Sequence, residues 1–274
     1  MNLSNIINEI AKTDDEFFEK TSQRRDVIRK ITRTAALTAL PLALGGMFQK
    51  AYGKTTDVII DTLNFALALE HLEAEFYKMV ITTSSALVQA TGGTAALNAL
   101  TTIRDHEIAH VNFLTTAIQG AGGVAALKGN YDFTAGGTFA DVFTNYDTLL
   151  AVAQAFEDTG VRAYKGQAGN LMGNNDILTA ALNIHSVEAR HASHIRQMRK
   201  ARGASVKPWI TLNQSGIAST AVQPIYNGEE NTLQATLQIT GINGTAVNAN
   251  AASEAFDEPL DKAAVLAIVD PFIL

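Results

Sequence analysis

The 274-residue sequence predicts an all-α core: an antiparallel four-helix bundle with a long crossover between helices two and three. A C-terminal extension follows, carrying a short β element and a short helix. Three observations lead there. Apolar residues recur at helical spacing in four separate stretches. The links joining stretches one to two and three to four are short, which makes those pairs antiparallel neighbours, whereas the link from two to three is long. The two halves also repeat one pattern of acids and histidines.

Composition narrows the class. Hydrophobic residues make up 47% and charged residues 18%, enough apolar material to bury a core. With Cys 0, disulfides, thiolate zinc sites, Cys-ligated iron–sulfur clusters and Cys nucleophiles are excluded. The net charge of −6 carries no basic surplus, so nucleic acid is not an expected partner. Charge is unevenly spread: residues 1–54 hold nine Lys/Arg against six Asp/Glu, and the remainder twelve against twenty-one.

Residues 1–54 read as a targeting segment. A polar stretch ends in Arg24, Arg25, Arg29, Lys30 and Arg33, and an uncharged run of 16 residues follows from Thr34 to Gln49. That run is short for a membrane span, which needs roughly 20 apolar residues, and suits the apolar part of a secretory signal. Arg24-Arg25 with Val27, Ile28 and Arg29 resembles a twin-arginine export signal, departing from it at Gln23 and Val27. The expected location is therefore outside the cytoplasm, in the periplasm or cell envelope, with anchoring by an uncleaved signal as the variant.

The bundle is expected over residues 55–203. The first helix spans Asp57 to about Ser84, with Leu63, Ala66, Leu67, Ala74 and Tyr77 on one stripe, and a turn is expected at Gly92-Gly93. The second carries Leu97, Leu100, Ile103, Val111, Leu114 and Ile118 and stops at the glycines after Gln119. The third carries Val142, Leu149, Leu150, Ala153, Val161 and Tyr164, and the fourth Ile177, Ala181, Ile184, Val187, Ile195 and Met198. In the extension, 204–274, strict alternation over Thr232–Thr240 predicts a half-buried strand, with a hairpin turn at Asn227-Gly228. Pro259 is expected to start a short helix reaching about Val269.

The chemistry lies in polar residues that interrupt the stripes. Glu70 stands between Leu63 and Tyr77, each seven residues away, and Glu157 between Leu150 and Tyr164 in the same relation. Seven residues is close to two turns, so each trio points one way. The second helix carries Glu107 and His110 and the fourth Glu188 and His191, each pair three apart on one face. Six ionisable groups buried without partners would cost several kcal/mol per ion. A pair of divalent cations balances four carboxylates, and carboxylate with imidazole suits iron or manganese. Glu73 rivals Glu70, since Leu69, Phe76 and Val80 around it are also apolar. His185 and His194 sit three residues outside Glu188 and His191, placed to support a ligand or replace one; Tyr77 and Tyr164 read as core aromatics or as supports of the ligands. His106 reads as a surface residue, and Arg104, Arg190, Arg196 and Arg199 as solvated faces or partners of acids.

With these motifs the chain resembles a ferritin-like domain protein, of the group that includes exported bacterial ferritin-like proteins and plant desiccation-related proteins. The resemblance covers roughly residues 57 to 203, with a further likeness from Glu258-Pro259-Leu260 to Pro271-Phe272-Ile273. It implies metal ligands at Glu70, Glu107, His110, Glu157, Glu188 and His191, and the Glu-then-Tyr spacing matches the bacterioferritin-type pattern. Asp105-His106-Glu107 departs from the consecutive acids of many relatives. The resemblance implies two iron or manganese ions and chemistry with oxygen or peroxide, of ferroxidase or peroxide-removing type. The alternative is a metal-free structural or stress-protective envelope protein. The extension is in either case a surface for a second copy or an envelope partner.

Overall fold

The computed structural model describes residues 56–172 and 174–274. The targeting segment expected over residues 1–54 lies outside the described residues. Four long helices form the core: α1, Thr56–Thr83; α2, Ser85–Gly120; α3, Tyr146–Gln167; and α4, Asn175–Ala201. Asn145 and Asn174 cap α3 and α4, their side-chain oxygens accepting from the amides of Asp147 and Ile177. Among the described residues no helix is long and apolar enough to cross a membrane.

The first break differs from the sequence reading. The chain interrupts the helix at Ser84, in a run of hydroxyl side chains that compete with helical backbone bonding. The Ser84 hydroxyl donates to the carbonyl of Phe143 in the crossover at 2.8 Å. Residues 85–92 resume as helix, and Gly93, at φ 78°, kinks α2 where the turn was expected.

Two apolar clusters fill the bundle. One gathers Ile59, Leu63, Leu67, Leu114, Ile118, Ile177 and Ile184; the other gathers Phe76, Val80, Leu100, Ile103, Leu149, Val152 and Ile195. Along α1 and α4 the chain passes from the first cluster to the second, and along α2 and α3 from the second to the first. Helices α2 and α3 therefore run the same way, and their link, residues 121–145, must travel the length of the bundle. The chain's end ties this crossover down: Asp132 donates its amide to the Phe272 carbonyl at 2.9 Å, and Leu274 to that of Asn130 at 3.0 Å.

The extension holds short elements: α5 (Gln223–Tyr226), a hairpin of β1 (Leu233–Gln234) and β2 (Leu237–Gln238), α6 (Ala249–Ser253) and α7 (Lys262–Val269). The single strand expected over Thr232–Thr240 is instead this hairpin, folded back at Ala235-Thr236 with both φ positive. With no larger sheet to join, Leu233 and Leu237 stay half-exposed. Asn227-Gly228 makes no hairpin; it follows α5 and backs the Arg162 guanidinium. Helix α7 starts later than Pro259, where Asp261 caps the amide of Ala264 at 2.8 Å.

The extension lies on a polar stripe of α3. Gln154, Asp158 and Arg162 recur every fourth residue, a spacing that reads as a solvent face, yet all three are buried. Arg196 of α4 grips Asp158 at 3.1 and 2.5 Å, and the Tyr226 hydroxyl donates to Asp158 at 2.7 Å. Gln154 donates to Tyr226 at 2.9 Å and accepts from Arg199. Arg162 pairs with Glu229 at 2.8 Å and donates to the carbonyls of Glu258, Ile225 and Asn227. Beside it, a Cβ at Gly166 would overlap the carbonyl of Leu260, so only glycine lets the extension pass there.

Removing one partner of a buried ion pair strands the other charge. Arg162→Met is expected to cost about 3–5 kcal/mol in urea unfolding and to open the extension to limited proteolysis before the bundle is cut.

Candidate metal centre

Each long helix delivers its polar group to one layer between the two apolar clusters. Helix α1 brings Glu70, α2 Glu107 and His110, α3 Glu157, and α4 Glu188 and His191. The four carboxylates have no solvent exposure, and His110 and His191 are 9% and 5% exposed. The structure thus gathers into one layer the six residues that the sequence singled out.

They form two overlapping groups. One ligand atom from each of Glu70, Glu107, His110 and Glu188 lies within 4.8 Å of all the others, and the same holds for Glu107, Glu157, Glu188 and His191. Glu107 and Glu188 belong to both groups, so the two groups lie side by side and share two carboxylates. The layer has an approximate twofold relation: Glu70 answers to Glu157, Glu107 to Glu188, and His110 to His191. Tyrosines complete it crosswise. Tyr77 of α1 donates to Glu157 of α3 at 2.5 Å, and Tyr164 of α3 donates to Glu70 of α1. The two tyrosines, read as core aromatics or as supports, do both: each ring is buried in an apolar cluster while its hydroxyl holds a carboxylate in place.

The atoms facing inward are badly served as hydrogen-bonding groups. His110 Nδ1 lies 3.1 Å from carboxylate oxygens of Glu70, Glu107 and Glu188, three acceptors around a single nitrogen. His191 Nδ1 lies 2.8 Å from Glu107 and 3.2 Å from Glu157, yet makes no hydrogen bond with either. Glu107 Oε1, Glu157 Oε2 and both oxygens of Glu188 are likewise buried with no well-aligned hydrogen bond, the histidine nitrogens being their only charged neighbours of opposite sign among the described residues. Native interiors leave very few such atoms, and each needs an explanation. Oxygen and imidazole atoms converging in two groups of four fit a pair of divalent cations, and iron or manganese by ligand type.

The electrostatics point the same way. Burial, with the charges of Glu70 and Glu157 added, raises the Glu107 carboxyl to about 7, although His110 and His191 oppose the rise. Burial and the neighbouring Glu107 and Glu70 push Glu188 well above the carboxylate range. Burial alone would lower His191, but Glu157 and Glu107 outweigh it and raise the imidazole to about 11. Burial also acts to raise Glu70, but the charge and hydrogen bond of His110 overcome it and hold that carboxyl below its ordinary value. The metal-free layer keeps protons where divalent cations would supply the compensating charge.

The remaining sequence candidates separate. Glu73, the rival of Glu70, is buried but joins neither group. It stands across from Gly160, where a Cβ would lie 3.3 Å from Glu73 Oε1 and 3.2 Å from Glu188 Oε2. Gly160 costs α3 about 1 kcal/mol relative to alanine and keeps that space open. His194 is exposed and outside both groups, since three residues beyond His191 the α4 surface has turned outward. His185 also joins neither group; it faces the extension near Asp257 and Lys165. His106 is exposed along one edge, as a surface residue should be, but its Nδ1 lies 2.9 Å from His191 Nε2. The signal that could have found it is its offset from His110, one helical turn along α2.

The ferritin-like domain family matches residues 59–201, from the first turn of α1 to the last residue of α4 and including all six residues of the layer. No curated protein matches the chain.

Groups held above their ordinary values bind more protons folded than unfolded, so stability falls as pH rises through their range. For Glu107 that window runs from 4.5 to about 7, and for His191 from 6.5 to about 11. Glu70, shifted the other way, acts only below its ordinary value of 4.5. Metal-free protein is therefore expected to lose melting temperature steadily from about pH 5 to about pH 9. Thermal unfolding across that range checks it, and added divalent metal should flatten the slope.

Proposed function

Because this chain belongs to the ferritin-like domain family, we propose that it holds two iron or manganese ions in the polar layer and uses them in redox chemistry with oxygen or peroxide. The observation that carries the reading is the pair of four-residue groups sharing Glu107 and Glu188, in which Glu107 Oε1, Glu157 Oε2, both Glu188 oxygens and His191 Nδ1 are buried without a hydrogen bond. Iron or manganese held there would supply one-electron redox chemistry toward dioxygen or peroxide, which no side chain of this cysteine-free protein offers as readily.

The protein's own part is to hold, orient and exclude. Glu70 and His110 complete one group, Glu157 and His191 the other, and Glu107 and Glu188 span both. Tyr77 and Tyr164 fix the rotamers of Glu157 and Glu70, the two carboxylates not shared. The apolar clusters above and below the layer keep bulk water out, which strengthens every electrostatic interaction within it. Proton release from Glu107 and the histidines accompanies metal binding, so affinity should weaken as pH falls.

The reading extends to export. The basic segment with Arg24-Arg25 would direct the chain to a route that carries folded proteins, allowing metal to be loaded first. Following the protein by cell fractionation while that route is blocked tests this; export that continues unchanged would refute it.

Metal content tests the centre. Wild-type protein is expected to carry about two equivalents of iron or manganese, Glu70→Ala about one, and Glu107→Ala/Glu188→Ala none, since those two residues serve both groups. Circular dichroism should show the helices retained in all three. Oxygen consumption with ferrous iron, or peroxide removal, should disappear with the double variant. A wild-type protein that takes up no metal on reconstitution would overturn the reading.

A further inference from the structure

The approximate twofold relation of the layer fails beside the six residues at Glu73 and at His106, and both failures are chemically specific. Glu73 falls where the other half has Gly160, and His106 falls where the other half has Val187. The second difference bears on the ligands directly. His191 turns Nδ1 toward Glu107, Glu157 and Glu188, and its outer nitrogen, Nε2, lies 2.9 Å from His106 Nδ1. The two ring planes are 15° from parallel with centroids 5.2 Å apart, the arrangement that an in-plane N–H···N bond leaves. His110 turns Nδ1 inward in the same way, but its Nε2 meets no partner among the described residues. Val187 carries no group that could provide one.

A ligating imidazole is oriented by what its other nitrogen bonds, and loss of that partner typically weakens metal binding 10–100-fold. We propose that His106 is the positioning residue for His191 and makes the two metal positions unequal. The inference rests on the two-metal reading above and deepens it. His106 accepts the Nε2 proton of His191, which leaves Nδ1 as the ligand atom and holds the imidazole in the plane of that bond. The position built from Glu107, Glu157, Glu188 and His191 is thereby the tighter one. The position built from Glu70, Glu107, His110 and Glu188 has a histidine with only its inward contacts to orient it.

The test makes the two halves alike. His106→Val copies the Val187 position, whereas His106→Asn keeps an acceptor at the place of Nδ1. Cobalt(II) titration, followed by absorption, should give two unequal steps in the wild type. In His106→Val the tighter step should weaken by at least tenfold while the other stays where it was, and His106→Asn should recover most of the loss. Equal weakening of both steps, no weakening, or an Asn variant no better than Val would overturn the proposal. A second measurement stands whether or not metal binds. In the metal-free protein, nitrogen–proton correlation spectra of the imidazoles should show His106 protonated at Nε2 and bare at Nδ1. A proton on Nδ1 of His106 would refute its role as acceptor, while failure of cobalt to bind the wild type would refute the metal centre itself.

Discussion

Four fully buried carboxylates meeting in the middle of a helical bundle set the terms for everything around them. Carboxylates crowded in an apolar interior repel one another and cannot all stay charged without compensation. The bundle answers in three ways. Two histidines bring nitrogens into the layer beside the carboxylates, two tyrosines reach across to the carboxylates that are not shared, and apolar clusters on either side lock the helices that carry them. What remains uncompensated is a set of inward atoms arranged in two overlapping groups. The metal-free layer keeps protons on its acids and histidines, and the rest of the molecule holds the helices that carry it in place.

Helix α3 shows how that holding is done. Its residues are buried nearly all round, because one face meets the layer and the opposite face meets the extension. The extension contains little regular structure and could not hold a core alone. It is fixed by Asp158, Arg162, Arg196 and Glu229, whose charges are removed from water only because each has a partner. Such networks contribute less to net stability than to uniqueness of arrangement. Here they set the position of α3, and with it Glu157 and Tyr164, from the side away from the polar layer.

The two halves of the bundle are related but not equivalent. Matching acids and histidines supply a nearly symmetric cage. The departures, Glu73 against Gly160 and His106 against Val187, give its two residue groups different surroundings. Gly160 shows the same economy of space as Gly166. The first leaves room between two acids in the layer, the second lets the extension approach the helix from outside.

The six layer residues were legible in the sequence because helical geometry is local. A Glu between apolar residues seven apart, or Glu and His three apart, must share a face whatever the tertiary structure. The four helices and the long crossover followed for the same reason, from periodicity and link length. What local spacing could not decide was which neighbour each polar face would meet. Glu70 and Glu73 lie one turn apart on similar apolar ground, and only the packing of α3 and α4 against α1 put Glu70 in the cage. Gln154, Asp158 and Arg162 have the spacing of a solvated stripe, and only the return of the extension buried them. His106 reads as a surface residue on α2 until α4 brings His191 against it. Sequence periodicity determined the elements and their reactive faces; the tertiary structure decided the pairings, because those depend on contacts between residues far apart in the chain.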